Sequence, residues 1–152
     1  MVRAGVRAWT LVTHADIPED KVTHFPNMAA QIQYFEDSSV VIWHDAVDGI
    51  VYRSADEGKS WAPIKGPEQG QAHLFVLHPY DKTQGYILTR SSQHWRTSNR
   101  GETWQSFSTP HPPTTLKAVP LDFHPTHHDW ILFTGQACTV NLFRKVCHDV
   151  AD

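Results

Sequence analysis

Residues 54–61 read Ser54-Ala55-Asp56-Glu57-Gly58-Lys59-Ser60-Trp61, an eight-residue pattern that returns 43 positions later as Thr97-Ser98-Asn99-Arg100-Gly101-Glu102-Thr103-Trp104. Each copy has a hydroxyl residue, Asp or Asn, Gly and Trp at fixed positions, which makes it an Asp-box, also called a BNR repeat. The pattern predicts a tight β-hairpin turn. The Asp or Asn side chain accepts hydrogen bonds from turn amides, the Gly supplies a positive φ, and the Trp packs beneath the turn. The predicted structural residues are Ser54, Asp56, Gly58 and Trp61, and Thr97, Asn99, Gly101 and Trp104.

Short segments rich in aromatic and aliphatic residues surround both motifs, and turn-forming residues separate them, as is typical of strands. In the second unit they are Leu74–Pro79, Tyr86–Arg90, His94–Ser98 and Trp104–Ser108. The first unit has Ile32–Glu36, Val40–His44, Gly49–Arg53 and Trp61–Ile64 in the same order. A third unit starts with Leu121–Pro125, which mirrors 75–79, and Trp130–Thr134, which mirrors 86–89.

The interval between the motifs is typical of β-propellers, whose blades recur about every 40 to 50 residues. We therefore predict an all-β chain. It would form a partial β-propeller with two complete four-stranded blades and the start of a third.

Composition limits the classes of function. The chain has 13 Lys and Arg against 16 Asp and Glu, a net charge of −3, and no basic stripe, so we expect no nucleic-acid partner. Apolar runs are strand-sized, well below the roughly 20 residues that cross a bilayer. Near the N-terminus, Ala8–Val12 is shorter than the usual signal-peptide core of about 7 to 15 residues. We expect neither a membrane span nor a signal peptide in this sequence.

The length is small for the predicted fold. A propeller closes with about four blades at least, and 152 residues hold fewer. We therefore expect a piece of a larger propeller, arising from a natural truncation, an incomplete gene model or a deliberate fragment. Uncovered end blades leave apolar faces in water, which favours self-association through the open edges.

The order of motifs resembles the sortilin-type vacuolar protein sorting receptors, in particular the fungal carboxypeptidase Y sorting receptors. The resemblance covers about residues 20 to 149. It is carried by the runs 34–38, 43–45, 51–61, 78–81, 94–104, 112–113, 123–125 and 147–149.

This resemblance implies the N-terminal part of a luminal, ten-bladed propeller, with blade units at about 30–66, 72–109 and 117–152. Such receptors belong to the late Golgi and endosome and bind vacuolar hydrolase cargo without chemically changing it. The resemblance also implies that Cys138 and Cys147 pair in an oxidising lumen. Two free thiols remain the alternative if the chain stays in the cytosol.

Other chemistry has weaker support in the sequence. His124, His127 and His128 with Asp129 invite a zinc hypothesis, but His124-Pro125 matches His78-Pro79 as part of a repeated turn, so we predict no metal site. Glu36, Asp37 and Asp45 lie near strand ends without an assignable pairing across a cleft. Trp43, Trp95 and Trp130 lie within predicted strands, where a sugar-stacking platform is the alternative to packing.

We thus predict no catalytic residue and no cofactor, and the cargo-binding residues are unknown. The alternative function is a fragment of an Asp-box glycoside hydrolase, sialidase-like or xyloglucanase-like. Further blades and a transmembrane helix in the surrounding gene would favour the receptor, whereas catalytic carboxylates would favour the hydrolase.

Overall fold

A computed structural model describes residues 23–29, 31–68, 70–141 and 144–151. They form eleven β-strands in three antiparallel sheets. The first sheet contains β1 (Gln31–Tyr34), β2 (Val41–Asp45), β3 (Ile50–Ser54) and β4 (Ala62–Pro63). The second contains β5 (Leu74–Leu77), β6 (Gly85–Leu88), β7 (Gln93–Thr97) and β8 (Gln105–Ser108). The third contains β9 (Leu121–Phe123), β10 (Ile131–Asn141) and β11 (Arg144–Ala151).

Strands that follow one another in sequence are neighbours in each sheet, so every sheet is a meander joined by hairpins. The prediction of an all-β partial propeller is confirmed. The two four-stranded sheets also share their pairing pattern, because Ile42 pairs with Arg53 in the first and Tyr86 with Arg96 in the second.

The first hydrophobic core lies between the first two sheets. Side chains alternate between the two faces of a strand, so one face of each sheet contributes to it. Its buried members are Phe35, Val40, Ile42, Val51, Ala72, Phe75 and Ile87, and Ile64, Leu77, Trp95 and Trp104 pack against them.

A second core joins the opposite face of the second sheet to the third sheet. Its buried members are Val76, Tyr86, Leu88, Leu121 and Phe133, with Leu74, Phe107, Phe123 and Ile131 packed against them. The middle sheet is therefore covered on both faces.

Strand β10 is longer than the sequence indicated. We expected a strand ending at Thr134, but β10 continues to Asn141. Its first three residues pair with β9, whereas 134–141 pair with β11. The extension depends on this hairpin partner, because Gly135 and Ala137 interrupt the apolar pattern from which the strand was predicted.

The apolar segment Ala8–Val12 lies outside the described residues. Within the described ranges, no helix is long and apolar enough to cross a membrane.

Candidate functional site

The first Asp-box turn is held together by the side chains of Ser54, Asp56 and Ser60. The Ser54 hydroxyl accepts a hydrogen bond from the Gly58 amide at 2.8 Å and donates one to Asp56 Oδ1 at 2.7 Å. Asp56 Oδ1 also accepts the Ser60 amide at 2.8 Å, and its Oδ2 accepts the Ser60 hydroxyl at 2.6 Å. Both carboxylate oxygens therefore have donors within the turn.

The second turn repeats these contacts with an amide in place of the carboxylate. The Thr97 hydroxyl accepts the Gly101 amide at 2.9 Å and donates to Asn99 Oδ1 at 2.9 Å. Asn99 Oδ1 accepts the Thr103 amide at 3.0 Å, and Asn99 Nδ2 donates to the Thr103 hydroxyl at 2.9 Å. The turn thus needs an acceptor oxygen at this position and does not need a negative charge.

Two consecutive residues in each turn have positive φ. The values are 61° for Glu57 and 89° for Gly58, and 55° for Arg100 and 75° for Gly101. Two left-handed residues in a row are what a tight hairpin with the right-handed twist of its strands requires. The sequence indicated this conformation at the glycines and missed it at Glu57 and Arg100.

The tryptophans of the two motifs share a local bond and differ in surroundings. Trp61 Nε1 donates to Gly58 O at 2.9 Å, and Trp104 Nε1 donates to Gly101 O at 3.1 Å. Trp104 then packs edge to face on Phe75 within the first core, with ring centroids 6.2 Å apart. Trp61 instead contacts Trp43 on the outward face of the first sheet, together with Phe25.

Asp56 is held in its ionised form. Hydrogen bonds from the hydroxyl and amide of Ser60, and then from the Ser54 hydroxyl, lower the pKa of Asp56 to about 2. A carboxylate with this pKa carries no proton near neutral pH, so it is unsuited to general acid catalysis. Its contacts stabilise the turn.

Two histidines form a second kind of repeated turn. His78 Nδ1 accepts the amides of Tyr80 and Asp81 at 3.1 and 2.9 Å. In the third sheet, His124 Nδ1 accepts the amides of Thr126 and His127 at 3.3 and 3.0 Å. The repeated His-Pro pairs were the sequence signal for these turns, although the histidine bonding could not be read from it.

The His78 ring also connects two sheets. Its Nε2 donates to the backbone carbonyl of His128 at 3.0 Å, while its ring lies 4.6 Å from that of Phe123. A contact between the second and third sheets therefore depends on this side chain.

The residues of the zinc hypothesis are placed in different contacts. His124 uses Nδ1 in its turn, His127 stacks on Trp130 at 4.5 Å, and the ring of His128 stacks on Tyr80 at 6.1 Å. In the part of the chain that the structure describes, no group of three or more His, Cys, Asp or Glu side chains is arranged to hold a metal ion.

Trp43, Trp95 and Trp130, for which sugar stacking was the alternative to packing, lie in different surroundings. Trp43 stacks on Phe25 at 3.8 Å, and Trp95 packs against the first core. Trp130 is 62% exposed, with one ring face against His127.

The carboxylates of Glu36, Asp37 and Asp45 form ion pairs or accept hydrogen bonds from loop amides. Glu36 and Asp37 both meet Lys82, which lowers the pKa of Asp37 through a hydrogen bond and its charge. Asp45 is fully buried and accepts the amides of Val47 and Asp48 at 2.9 and 3.0 Å. Burial alone would raise the pKa of Asp45, but hydrogen bonds from Asn27 and these amides together lower it.

An interblade cleft opens between the first two sheets, with a volume of about 340 Å³. Its lining comprises Ala46, Val47, Gly49, Gly70, Gln71, Ala72, His73, Thr89, Arg90 and Ser91. Its floor depends on a close approach of two glycines, because a Cβ on Gly49 would lie 2.5 Å from the carbonyl carbon of Gly70. Buried His44 fixes the same loop by donating from Nε2 to Ala72 O at 3.1 Å.

The charged group of the interblade cleft is the guanidinium of Arg90, which lies beside the imidazole of His73. Arg90 Nε donates to His73 Nδ1 at 3.4 Å, and the pKa of His73 is lowered first by burial and then by the charge of Arg90. Val47, 76% exposed, adds an apolar contact surface. This arrangement suits a ligand that combines a carboxylate with an aliphatic group.

The third sheet carries a disulfide-linked hairpin. Cys138 and Cys147 are directly opposite each other in β10 and β11, with Cα atoms 4.1 Å apart, and are bonded. The strand β11 is exposed for nearly all of its length. At the base of the hairpin, Thr114 Oγ1 donates to Asp149 Oδ1 at 2.6 Å.

Successive antiparallel sheets with equivalent Asp-box turns define a β-propeller repeat protein. Comparison with known proteins then gives the family. The sequence model of Sortilin-Vps10, described as sortilin, neurotensin receptor 3, matches residues 49–151. The chain belongs to this family of vacuolar sorting receptors.

Individual relatives agree with this assignment. Vacuolar protein sorting/targeting protein 10 of Mycosarcoma maydis is 47% identical over 148 residues, which are 95% of this chain and 10% of that protein. The protein of the same name in Laccaria bicolor is 40% identical over 141 residues, 91% of this chain and 10% of that protein. The one in Pyricularia oryzae is 34% identical over 152 residues, 99% of this chain and 10% of that protein. The chain thus spans about a tenth of the length of these relatives.

Proposed function

We propose that this chain is a luminal, cargo-binding segment of a receptor that sorts soluble hydrolases from the Golgi to the endosome and vacuole. The observation that carries the proposal is the family match over residues 49–151, which includes both Asp-box turns and the disulfide-linked hairpin. The matched relatives are named as vacuolar protein sorting/targeting proteins. The proposal extends the sorting function named for these longer relatives to this segment.

The proposed activity is binding without chemical change of the cargo. The hydroxyl, Asp56 and Asn99 side chains that define the two Asp-boxes are engaged within their own turns, and Asp56 is ionised with each oxygen hydrogen-bonded. These groups support loops at the ends of the blades, where binding residues of scaffold proteins are commonly placed.

We propose the interblade cleft as a cargo contact. Its Arg90 guanidinium can bind a carboxylate, and the exposed Val47 side chain can pack against an aliphatic group of the same peptide. The close contact of Gly49 with Gly70 and the hydrogen bond from His44 to Ala72 O hold the 70–72 segment of the cleft against the first sheet, which reduces the entropy lost on binding.

The proposed location is the lumen of the late Golgi and endosome. The Cys138–Cys147 disulfide suits an oxidising compartment. We also propose that the isolated chain self-associates, because Ile32 and Tyr34 on the first sheet and Trp130 and Leu132 on the third are between 49% and 66% exposed. Sedimentation velocity across a concentration series tests this, and a monomer at every concentration contradicts it.

The receptor proposal is tested in a fungal strain that lacks its sorting receptor. The longer open reading frame containing this segment is expressed, and the secretion of a vacuolar carboxypeptidase is measured. Restored retention supports the receptor. Continued secretion by a correctly located protein contradicts it, and turnover of a glycoside substrate by that protein would instead identify a hydrolase.

Two variants in the same strain test the interblade cleft. Arg90→Ala should increase carboxypeptidase secretion at unchanged receptor abundance, because the cleft loses its positive charge. Arg144→Ala is the matched control, since it removes an exposed arginine from the disulfide-linked hairpin. Equal secretion by the two variants would remove the cleft from the proposal and leave the receptor assignment standing.

A further inference from the structure

At the interface between the first two sheets, one site is occupied by the indole of Trp104. The indole of Trp104 lies between Gly66 and Phe75. A Cβ on Gly66 would be 3.1 Å from Trp104 Cβ, and the Phe75 ring centroid is 6.2 Å away. This tryptophan therefore packs between β5 of its own sheet and the connection that follows β4 of the first sheet.

The turn itself rests on two residues of the first sheet. Arg53 Nε donates to the carbonyl of Arg100 at 2.9 Å, inside the turn. A Cβ on Gly101 would lie 3.5 Å from both Arg53 Cδ and Ile42 Cδ1. We call four of the residues around Trp104 and its turn, Ile42, Arg53, Gly66 and Phe75, the socket.

The interface between the second and third sheets has a pocket at the equivalent position, with a volume of about 300 Å³. Four of its lining residues, Tyr86, Arg96, Thr109 and Leu121, correspond to the four socket residues. Tyr86 and Arg96 pair as Ile42 and Arg53 do, and Leu121 pairs with Phe133 as Phe75 pairs with Ile87. Thr109 follows Trp104 by the same number of residues as Gly66 follows Trp61.

We propose that this pocket is the docking site for the tryptophan of a further Asp-box turn, connected to β11 in the longer protein. The Arg96 guanidinium then donates to a backbone carbonyl of that turn, as Arg53 does to Arg100. The larger Thr109 in place of Gly66 is offset by the smaller Leu121 in place of Phe75. An indole therefore fits a pocket of this volume between the same two walls.

Strand register supports a turn at this point of the chain. In the first two sheets, the first residue of the Asp-box pairs with the first residue of the second strand of its sheet: Ser54 with Val41, and Thr97 with Gly85. Ile131 corresponds to Gly85, because each pairs with the last residue of the preceding strand. Continuing the register of β10 and β11 beyond the Thr134–Ala151 pair places Ile131 opposite the third residue after Ala151.

The experiment supplies that turn. A copy of residues 96–109 is fused directly after Asp152, which puts the copied threonine opposite Ile131. The control is the same fusion with the copied tryptophan changed to alanine. The tryptophan fusion should have a folded-to-unfolded ratio about tenfold higher or more in urea titrations, as expected for a newly buried aromatic side chain. Equal stability of the two fusions overturns the proposal.

A double-mutant cycle tests whether the stability gained from the fused tryptophan comes from this pocket. Leu121→Ala should reduce the advantage of the tryptophan fusion, because it removes one wall of the pocket. Leu132→Ala is the matched control, since this leucine lies on the opposite face of β10 and is 49% exposed. A stability advantage that is unchanged by Leu121→Ala shows that the indole binds elsewhere, and overturns the proposal.

A second measurement uses the unmodified chain, so the proposal remains testable if the fusions fail to fold. N-acetyl-L-tryptophanamide should shift the amide resonances of Thr109 and Leu121 saturably, while those of Gly66 and Phe75 stay unchanged because Trp104 already fills their socket. The absence of saturable shifts contradicts the pocket assignment. Binding of this probe together with fusions of equal stability indicates an aromatic group from another chain and overturns the intramolecular proposal.

Discussion

Replacing Trp104 with alanine tests whether the Asp-box tryptophan is a packing residue of the interface between the first two sheets. Its indole contacts Phe75 and approaches the backbone of Gly66, and its Nε1 donates to Gly101 O. Substituting a tryptophan in a core by alanine costs about 3 to 5 kcal/mol. Because Trp104 is half-buried, we expect the lower end, about 3 kcal/mol, with water replacing part of the lost hydrogen bond.

The loss should be visible in thermal and chemical unfolding. For a domain of this size, about 3 kcal/mol corresponds to a fall in Tm of roughly 6 to 12 °C. Urea unfolding is followed by far-ultraviolet circular dichroism at concentrations where sedimentation shows a single species. Trp104→Phe keeps an aromatic ring against Phe75 and loses the Nε1 hydrogen bond, so it should cost about 1 to 2 kcal/mol.

Trp130→Ala is the matched control, because it removes an indole that is 62% exposed and lies outside the first core. It should cost less than about 1 kcal/mol. The packing argument is refuted if the two alanine variants lose equal stability. It is also refuted if Trp104→Ala unfolds at the same urea concentration as the unchanged chain.

Three further predictions concern the turns and the disulfide. Asp56→Asn should keep the turn and flatten the pH dependence of stability below pH 4. In the folded chain the pKa of Asp56 is about 2, below its ordinary 3.8. The carboxylate therefore stabilises the fold above about pH 3.8, and this stabilisation is lost as the pH falls toward 2. Urea titrations at several pH values test this, and parallel losses of stability in the variant and the unchanged chain would contradict it. Gly58→Ala should cost roughly 1 to 2 kcal/mol from its positive φ alone. Gly101→Ala should cost more, because its Cβ would lie 3.3 Å from an indole carbon of Trp104, whereas a Cβ on Gly58 would lie 3.5 Å from one of Trp61. Equal losses of unfolding free energy in the two variants argue against this contact. Changing Cys138 and Cys147 together to serine should speed amide exchange in the β10–β11 hairpin and change global unfolding by less than about 1 kcal/mol, since the hairpin is largely exposed; unchanged exchange there would show that the disulfide does not constrain it.

Much of the fold was predictable because each blade is marked by local sequence patterns, namely short apolar strands separated by turn-forming residues. Strands from 31 to 108 were found within a few residues of their observed ends, since turn-forming residues separate short apolar runs. The end of β10 was missed because its continuation is stabilised by pairing with β11 and has no apolar alternation of its own.

The interblade cleft was not predictable. It combines Val47, the contact of Gly49 and Gly70, and Arg90, which belong to three separate connections between strands. No local pattern marks such residues as neighbours. The positive φ of Glu57 was also missed, because its residue type does not favour that conformation.

The sequence by itself determined the side-chain bonding of the Asp-box turns, because the hydrogen bonds made by Ser54 and Asp56, and by Thr97 and Asn99, each join residues within one eight-residue motif. The surroundings of the two tryptophans were decided by tertiary structure. Trp61 and Trp104 make the same bond to their own glycine carbonyls, yet Trp104 packs on Phe75 between two sheets and Trp61 packs beside Phe25 on an outward face. Hydrogen bonds of a turn act over a few residues, whereas burial depends on which sheet lies opposite, and that is set by pairing across the whole fold.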